Sequence, residues 1–296
     1  MTSFHIKKIP VDNSHSILKE FLLKRGFIPV FLFSPYVLNT WLTHAGKSLY
    51  TATYDNEQVL LVHKEQNNDI RVLFDHPKRE LQDALMKYFN PKYFAVNECS
   101  TPPQSEKYLT AQEVEIVLAP IANLTEKSVR KKYNQFIRKY PELFFESYTS
   151  KHVELIKIFI EKWNTTRTEE KNKFSKTEND LHFLELYKDD PKLIGGVVMD
   201  KGEIVSISLC VPSLDNSLLA VINKCLRGYS ELGVFTYVER ARYLIKQGFS
   251  RAYIGAINNE FKKQFLKDAI LRDVFCYEIY KASDFEVTDK YLFRVF

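Results

Sequence analysis

Two short runs of the chain concentrate the side chains able to do chemistry. In Asn223–Phe235, NKCLRGYSELGVF, a strand-like segment passes into a helical one through two glycines and an arginine. A helix start of this kind presents unpaired N–H groups with positive partial charge, a natural seat for a phosphate. Asn223, Lys224, Arg227, Gly228 and Gly233 are therefore candidate contacts to an anionic group. Tyr229, and Tyr237 beyond it, are candidates to protonate a leaving group. In Ile257–Asp268, INNEFKKQFLKD, Asn258 and Asn259 can cap a helix or orient a carbonyl, Glu260 can serve as a base, and Lys263 or Lys267 can meet a phosphate or carboxylate. Both runs have ordinary structural readings too: Gly233 easing close packing, and the second run as a capped, solvated helix.

A third cluster is basic. Within Leu124–Phe145, LTEKSVRKKYNQFIRKYPELFF, a spacing of about 100° per residue puts Val129, Tyr133, Phe136, Ile137 and Tyr140 on one face and Lys127, Arg130, Lys131 and Arg138 opposite. Such a helix is either a connector kept soluble by its charges or a surface facing phosphates, in tRNA or in an anionic membrane. His152 and His182 lack partners at metal-ligand spacing, so structural roles and no metal site are expected. Cys99, Cys210, Cys225 and Cys276 show no CxxC pairing and read as buried, reduced thiols. The Glu169–Lys173 stretch, EEKNK, reads most simply as a mobile polar loop, although its position between two helices would let it act as a lid.

The elements that must position these residues follow from periodicity. Strands at Phe4–Ile9, Ser48–Tyr54, Gln58–Lys64 and Asp69–Phe74, with turns at Asp55-Asn56 and Asn67-Asn68, lead to a helix ending at Phe89 and a strand at Lys92–Asn97. The prolines of Ser100–Glu106, STPPQSE, make a loop. After the basic helix come helices at His152–Trp163 and Thr177–Lys188, then strands at Leu193–Met199, Ile204–Val211 and Leu218–Leu226. The first two of these strands form a hairpin turning at Asp200-Lys201-Gly202. A helix from Leu232 to Gln247, a strand at Ala252–Ala256, a helix at Glu260–Ile270 and a strand at Val274–Tyr280 close the pattern. This is an α+β chain dividing at 1–122 and 143–296, with 123–142 as a linker helix. Its 296 residues, 45% apolar and 14% aromatic, exclude disorder, and the net charge of +5 suits an acidic partner without requiring one. No apolar run approaches the roughly 20 residues of a membrane span. The opening MTSFHIKKIPVDN lacks a signal-peptide core, so a cytoplasmic location is expected.

Several segments together resemble a known family. RKKYNQF, IRKYP and FFESYT, the N-terminal FSPYVLNTW, the helix ending Ile160-Glu161-Lys162-Trp163 and the hairpin GGVVMDKGEIVSISLCV are similar to the catalytic domain of phosphatidylglycerol lysyltransferases over nearly the full length. The run around Arg227 is similar to the pyrophosphate loop of GNAT enzymes, and Asn258, Glu260 and Leu266-Lys267 match residue types that the lysyltransferase family carries there. The resemblance implies two tandem GNAT-like domains, each a mixed, mostly antiparallel sheet flanked by helices, with the active cleft in the second. It further implies transfer of an acyl or aminoacyl group to an amine or hydroxyl. The donor would be an acyl-CoA or an aminoacyl-tRNA, with no permanently bound cofactor. Catalysis would rest on Glu260, Asn258 and Tyr229, and donor binding on Asn223, Lys224, Arg227, Gly228, Gly233, Lys263 and Lys267. Lys127, Arg130, Lys131 and Arg138 would meet tRNA or an anionic lipid surface. The alternative is a noncatalytic module binding RNA or an anionic membrane.

Overall fold

The protein is seen in a computed structural model that describes residues 4–24, 34–43, 46–74, 77–98, 109–166, 177–213, 217–256, 260–276 and 278–281. Asn258, Asn259, the loop Ser100–Glu106, the stretch Glu169–Lys173 and Cys99 lie outside these residues.

Alternating apolar positions in the first third build a meander. The strands β1 (Phe4–Ile9), β2 (Lys47–Tyr54), β3 (Glu57–Lys64) and β4 (Asp69–Phe74) pair antiparallel in that order. Asp55 and Asn68, both at φ 52°, make the tight turns between them, a conformation that short Asx side chains tolerate. Helices α1 (Val11–Lys24) and α2 (Pro35–Thr43) precede the meander's second strand. Helix α3 (Arg79–Phe89) then carries the chain back, which lets β5 (Tyr93–Glu98) pair parallel with β4. Leu81 and Leu85 of α3, fully buried, pack with Val59, Leu61, Ile70, Val72 and Phe94.

The second sheet runs β12-β6-β11-β10-β9-β8-β7. Its members are β6 (Leu109–Val117), β7 (Phe144–Ser147), β8 (Ile194–Asp200), β9 (Glu203–Pro212), β10 (Leu218–Cys225), β11 (Arg251–Ala256) and β12 (Ile270–Cys276). From β7 to β10 neighbours are antiparallel, and Lys201 and Gly202, both at positive φ, turn the expected hairpin. Strands β10 and β11 are parallel, joined through helix α8 (Leu232–Lys246). Helices α4 (Leu118–Ala122) and α5 (Lys127–Lys139) pack on α8, while α6 (Val153–Thr165) and α7 (Thr177–Tyr187) pack on each other.

Of the described residues, those within Met1–Phe27, Leu38–Ala111 and Asp273–Val295 form one compact unit, and those within Ile28–Val37 and Gln112–Arg272 the other. The second unit thus takes up the chain after 111, and the described residues from 273 return to the first. Helix α5 is no linker: Val129, Tyr133 and Phe136 bury it in the second unit's own core. Two further expectations fail for tertiary reasons. The helix begun at Glu260 ends at Lys263 as α9, because the chain turns to bury Phe265 against the Tyr237 ring, with centroids 4.7 Å apart. The last apolar run is also two strands. β12 belongs to the second sheet, whereas β13 (Glu278–Lys281) pairs antiparallel with β5 in the first. Among the described residues no helix is long and apolar enough to cross a membrane.

Candidate active site

Strand β10 sends successive side chains to opposite faces of the sheet, and each face finds a different environment. Lys224 enters the face covered by α6 and α7, where its Nζ lies 2.8 Å from Asp180 Oδ2 and 3.7 Å from the centre of the Trp163 ring. Burial pushes the Asp180 carboxyl up from its ordinary range, more than Lys224 pulls it down. Lys224 is thereby committed to a buried ion pair, not to a donor phosphate as its sequence position suggested.

Asn223 enters the other face, beneath α8. Its Oδ1 accepts from Arg240 Nη1 at 2.6 Å and from the Ser208 hydroxyl, and the same Nη1 donates to Ser208 Oγ at 2.9 Å. Ser208 and Arg240 are fully buried, while Asn223 is exposed. Arg240 makes no ion pair among the described residues, its Nε and Nη2 have no hydrogen-bond partner among them, and its guanidinium lies 4.2 Å from the Tyr237 ring centre. A desolvated cation without a counter-charge is costly, which marks this place. Sequence reasoning missed Arg240 and Ser208, although the signal was present: Arg240 falls on the stripe of α8 that also carries Tyr237, Ala241 and Leu244.

Among the described residues, the parallel pairing of β10 with β11 covers Leu218↔Ala252 and Leu219↔Tyr253, and a bulge between Ala220 and Ile222 bends β10 where that pairing stops. Asn223 stands four residues beyond the last pair, about 13 Å along the strand. On the far side, Lys262 Nζ donates to the Ile254 carbonyl of β11 at 2.7 Å.

The loop from β10 to α8 is held down from one side by α5. Lys139 Nζ donates to Ser230 Oγ at 3.3 Å, Lys132 Nζ lies 3.9 Å from Glu231 Oε2, and the Tyr140 and Tyr229 rings meet with centroids 5.4 Å apart. Arg227 and Gly228 are exposed in this loop, Gly228 at φ 102°. Tyr229 Oη donates to Asp200 Oδ2 at 2.6 Å, and that bond, with burial second, pushes its phenol up to about 12. Tyr229 therefore keeps its proton at neutral pH and has already given it a partner. Gly233 serves close packing. A Cβ there would sit 2.9 Å from the Phe261 ring, which covers the first turn of α8 where a phosphate was expected.

The remaining predicted residues do not converge on this loop. Lys267 pairs with Glu126 at 3.2 Å, beside a crevice lined by Pro120, Glu126, Phe265 and Lys267 among others. Its cavity volume of about 10 Å3 has room for little more than one water, far below the roughly 300 Å3 at which ligand pockets begin. Lys263 is exposed, and the backbone of Glu260 opens α9. Lys127, Arg130, Lys131 and Arg138 are exposed on α5, as its periodicity implied, but Ile137 is 39% exposed instead of buried. The buried face of α5 is tied to α8 by Tyr133, whose Oη donates to Glu239 Oε1 at 2.6 Å and accepts from Arg242 Nη1 at 2.7 Å. His152 is buried in a capping box with Thr149, and Cys210 and Cys225 are free thiols that burial pushes up.

Burial, then the Glu239 and Asp189 carboxylates respectively, raise Tyr133 and Tyr148 to about 12, and the Asp200 hydrogen bond, then burial, raises Tyr229 to about 12. In the unfolded chain these phenols ionise near 10, so between about pH 10 and 12 the folded state retains protons that the unfolded chain releases. Their stabilisation is complete below pH 10 and lost as pH rises through about 12. A melting temperature that falls steeply across this window, with little change from pH 8 to 9.5, is the expected result.

No family model matches the chain, and no curated protein matches it. Solved structures do. A conserved protein of unknown function from Bacteroides thetaiotaomicron superposes with a TM-score of 0.63 at 14% identity, covering 94% of this chain and 99% of that one. L-PGS from Bacillus licheniformis gives 0.56 at 13% identity over 92% and 93%. A tandem GNAT protein from the clavulanic acid biosynthesis pathway gives 0.54 at 9% over 95% and 99%. The fold is that of the tandem GNAT-like proteins, α+β with mixed, mostly antiparallel sheets flanked by helices. The likeness to lysyltransferase catalytic domains read from the sequence is matched in this fold by L-PGS.

Proposed function

We propose that the chain transfers an activated acyl or aminoacyl group, from an acyl-CoA or aminoacyl-tRNA donor, to an amine or hydroxyl. The observation that carries this reading is the split between β10 and β11. Past Leu219, β10 has no ladder partner on that side among the described residues, so backbone N–H and C=O groups that a sheet would normally consume are left to align an extended, amide-containing donor. The exposed side chain of Asn223 lies on this same stretch of β10. Holding a donor carbonyl there supplies orientation, a large contribution to acyl transfer. Similarity to a tandem GNAT protein and to L-PGS supports the same class.

Lys127, Arg130, Lys131 and Arg138 face solvent on α5, the helix whose inner side pins the loop before α8. They are positioned to meet phosphates, which favours charged tRNA among the donors. The same cationic face favours one rival, a noncatalytic module holding RNA or an anionic membrane. A panel of acyl-CoA thioesters, aminoacyl-tRNAs and anionic vesicles distinguishes them. The transferase raises the melting temperature with its donor and releases product when amines are added. A binding module shows affinity alone, falling steeply with salt, and product from no donor in the panel would exclude the transferase reading.

A further inference from the structure

The closed triangle of Arg240, Ser208 and Asn223 fixes which way the Asn223 amide faces. A guanidinium has donors and no acceptor, so the Asn223 atom 2.6 Å from Arg240 Nη1 has to be the carbonyl oxygen. The Ser208 hydroxyl donates to the same oxygen. With Oδ1 held from two directions, Nδ2 and its two hydrogens are left for the exposed side of the residue, on the part of β10 beyond its last described pair with β11. Behind the amide sits a positive charge that is fully buried and unpaired by any carboxylate among the described residues. It polarises the amide and strengthens its N–H donors.

We propose that Asn223 Nδ2 is the oxyanion donor of the reaction and that Arg240, with Ser208, is its positioning residue. This rests on the transferase reading given above. As the acceptor nitrogen or oxygen attacks the donor's carbonyl carbon, a bond forms between them and the carbonyl π pair moves onto oxygen. When the intermediate collapses, that pair re-forms the carbonyl, the bond to the leaving sulfur or ribose oxygen breaks, and the acceptor's proton ends on the leaving group through solvent. Negative charge on the carbonyl oxygen exists only between these events. The uncompensated charge of Arg240, transmitted through Asn223, gains its counter-charge only then. The interaction therefore favours the transition state over the bound donor.

Asn223→Asp tests this with little change of shape. The carboxylate gives Arg240 a permanent partner, so the melting temperature should hold or rise, while the donor is lost and the oxyanion repelled. Turnover should fall by about 100- to 1000-fold, with the KM of the donor nearly unchanged. A residue important only for structure would instead lower the melting temperature. Arg240→Lys keeps the charge but loses the planar fork, and should reduce kcat in the same direction, again without moving KM. In parallel, crystals of wild type and Asn223→Asp are soaked with methylphosphonate, an anionic oxygen probe independent of turnover. Phosphonate oxygen on Nδ2 in wild type and its absence in Asn223→Asp support the site even if no donor is turned over, in which case the transferase reading fails alone. Undiminished turnover in Asn223→Asp overturns the proposal and leaves the transferase reading standing. If wild type neither turns over nor holds the probe, the proposal is overturned.

Discussion

Asp180→Ala is expected to lower the unfolding free energy by about 3–5 kcal/mol, among the largest effects of any single substitution outside the candidate site. Lys224 and Asp180 have side chains only 7% and 20% exposed, and their contact is 2.8 Å. Removing the carboxylate strands an ammonium group under α6 and α7 with only the Trp163 face for company. The intact pair is a different matter. Burial raises Asp180 despite Lys224, so the charged pair contributes little net stability of its own. Replacing both residues at once, Asp180→Leu with Lys224→Met, should leave stability unchanged or raise it. Urea unfolding of the two variants at constant m-value measures the contrast. A loss below about 1 kcal/mol in Asp180→Ala would mean that the lysine escapes to water.

Phe136→Ala should cost about 3–5 kcal/mol. This ring is 1% exposed and stacks on Phe235 of α8 with centroids 4.6 Å apart, so its removal leaves a cavity between two helices. It also props Tyr140, at 5.1 Å, which in turn touches Tyr229 in the loop ahead of α8. Loss of Phe136 is therefore expected to release that loop as well as to destabilise the second unit. Proteolysis within Leu226–Glu231 should accelerate in the variant under native conditions. Ile137→Ala, one residue on but 39% exposed, should change stability by no more than about 0.5 kcal/mol.

Local chemistry was readable wherever one residue type decides the outcome. Asp55, Asn68 and the Lys201-Gly202 pair turn where their conformational tolerance says they should, and most strands and helices fall where periodicity puts them. The inner face of α5 was legible through Val129, Tyr133 and Phe136, but whether that face bridged two domains or packed into one depended on α8, a hundred residues away. Lys224 and Arg240 mark the deeper limit. Lys224 reads in sequence as a phosphate contact, and Arg240 shows only its place on an apolar stripe, with no partner named. One is buried by Asp180 and Trp163, the other by Ser208 and Asn223, and neither cation is near its own pair of partners in sequence. The candidate site was legible as a place, the passage from β10 to α8. Its wiring was not, because that passage is built by β9 and by the splaying of β11.

The order of strands in the first sheet sets a timetable for biosynthesis. Since β13 lies against β5, the sheet begun by β1 to β5 is finished only after the strands of the second sheet have been made. Until then β5 offers an unpaired edge, which newly made chains must keep from annealing to one another. A nascent chain stalled before Glu278 should accordingly depend on chaperones and self-associate, however completely its middle portion has folded.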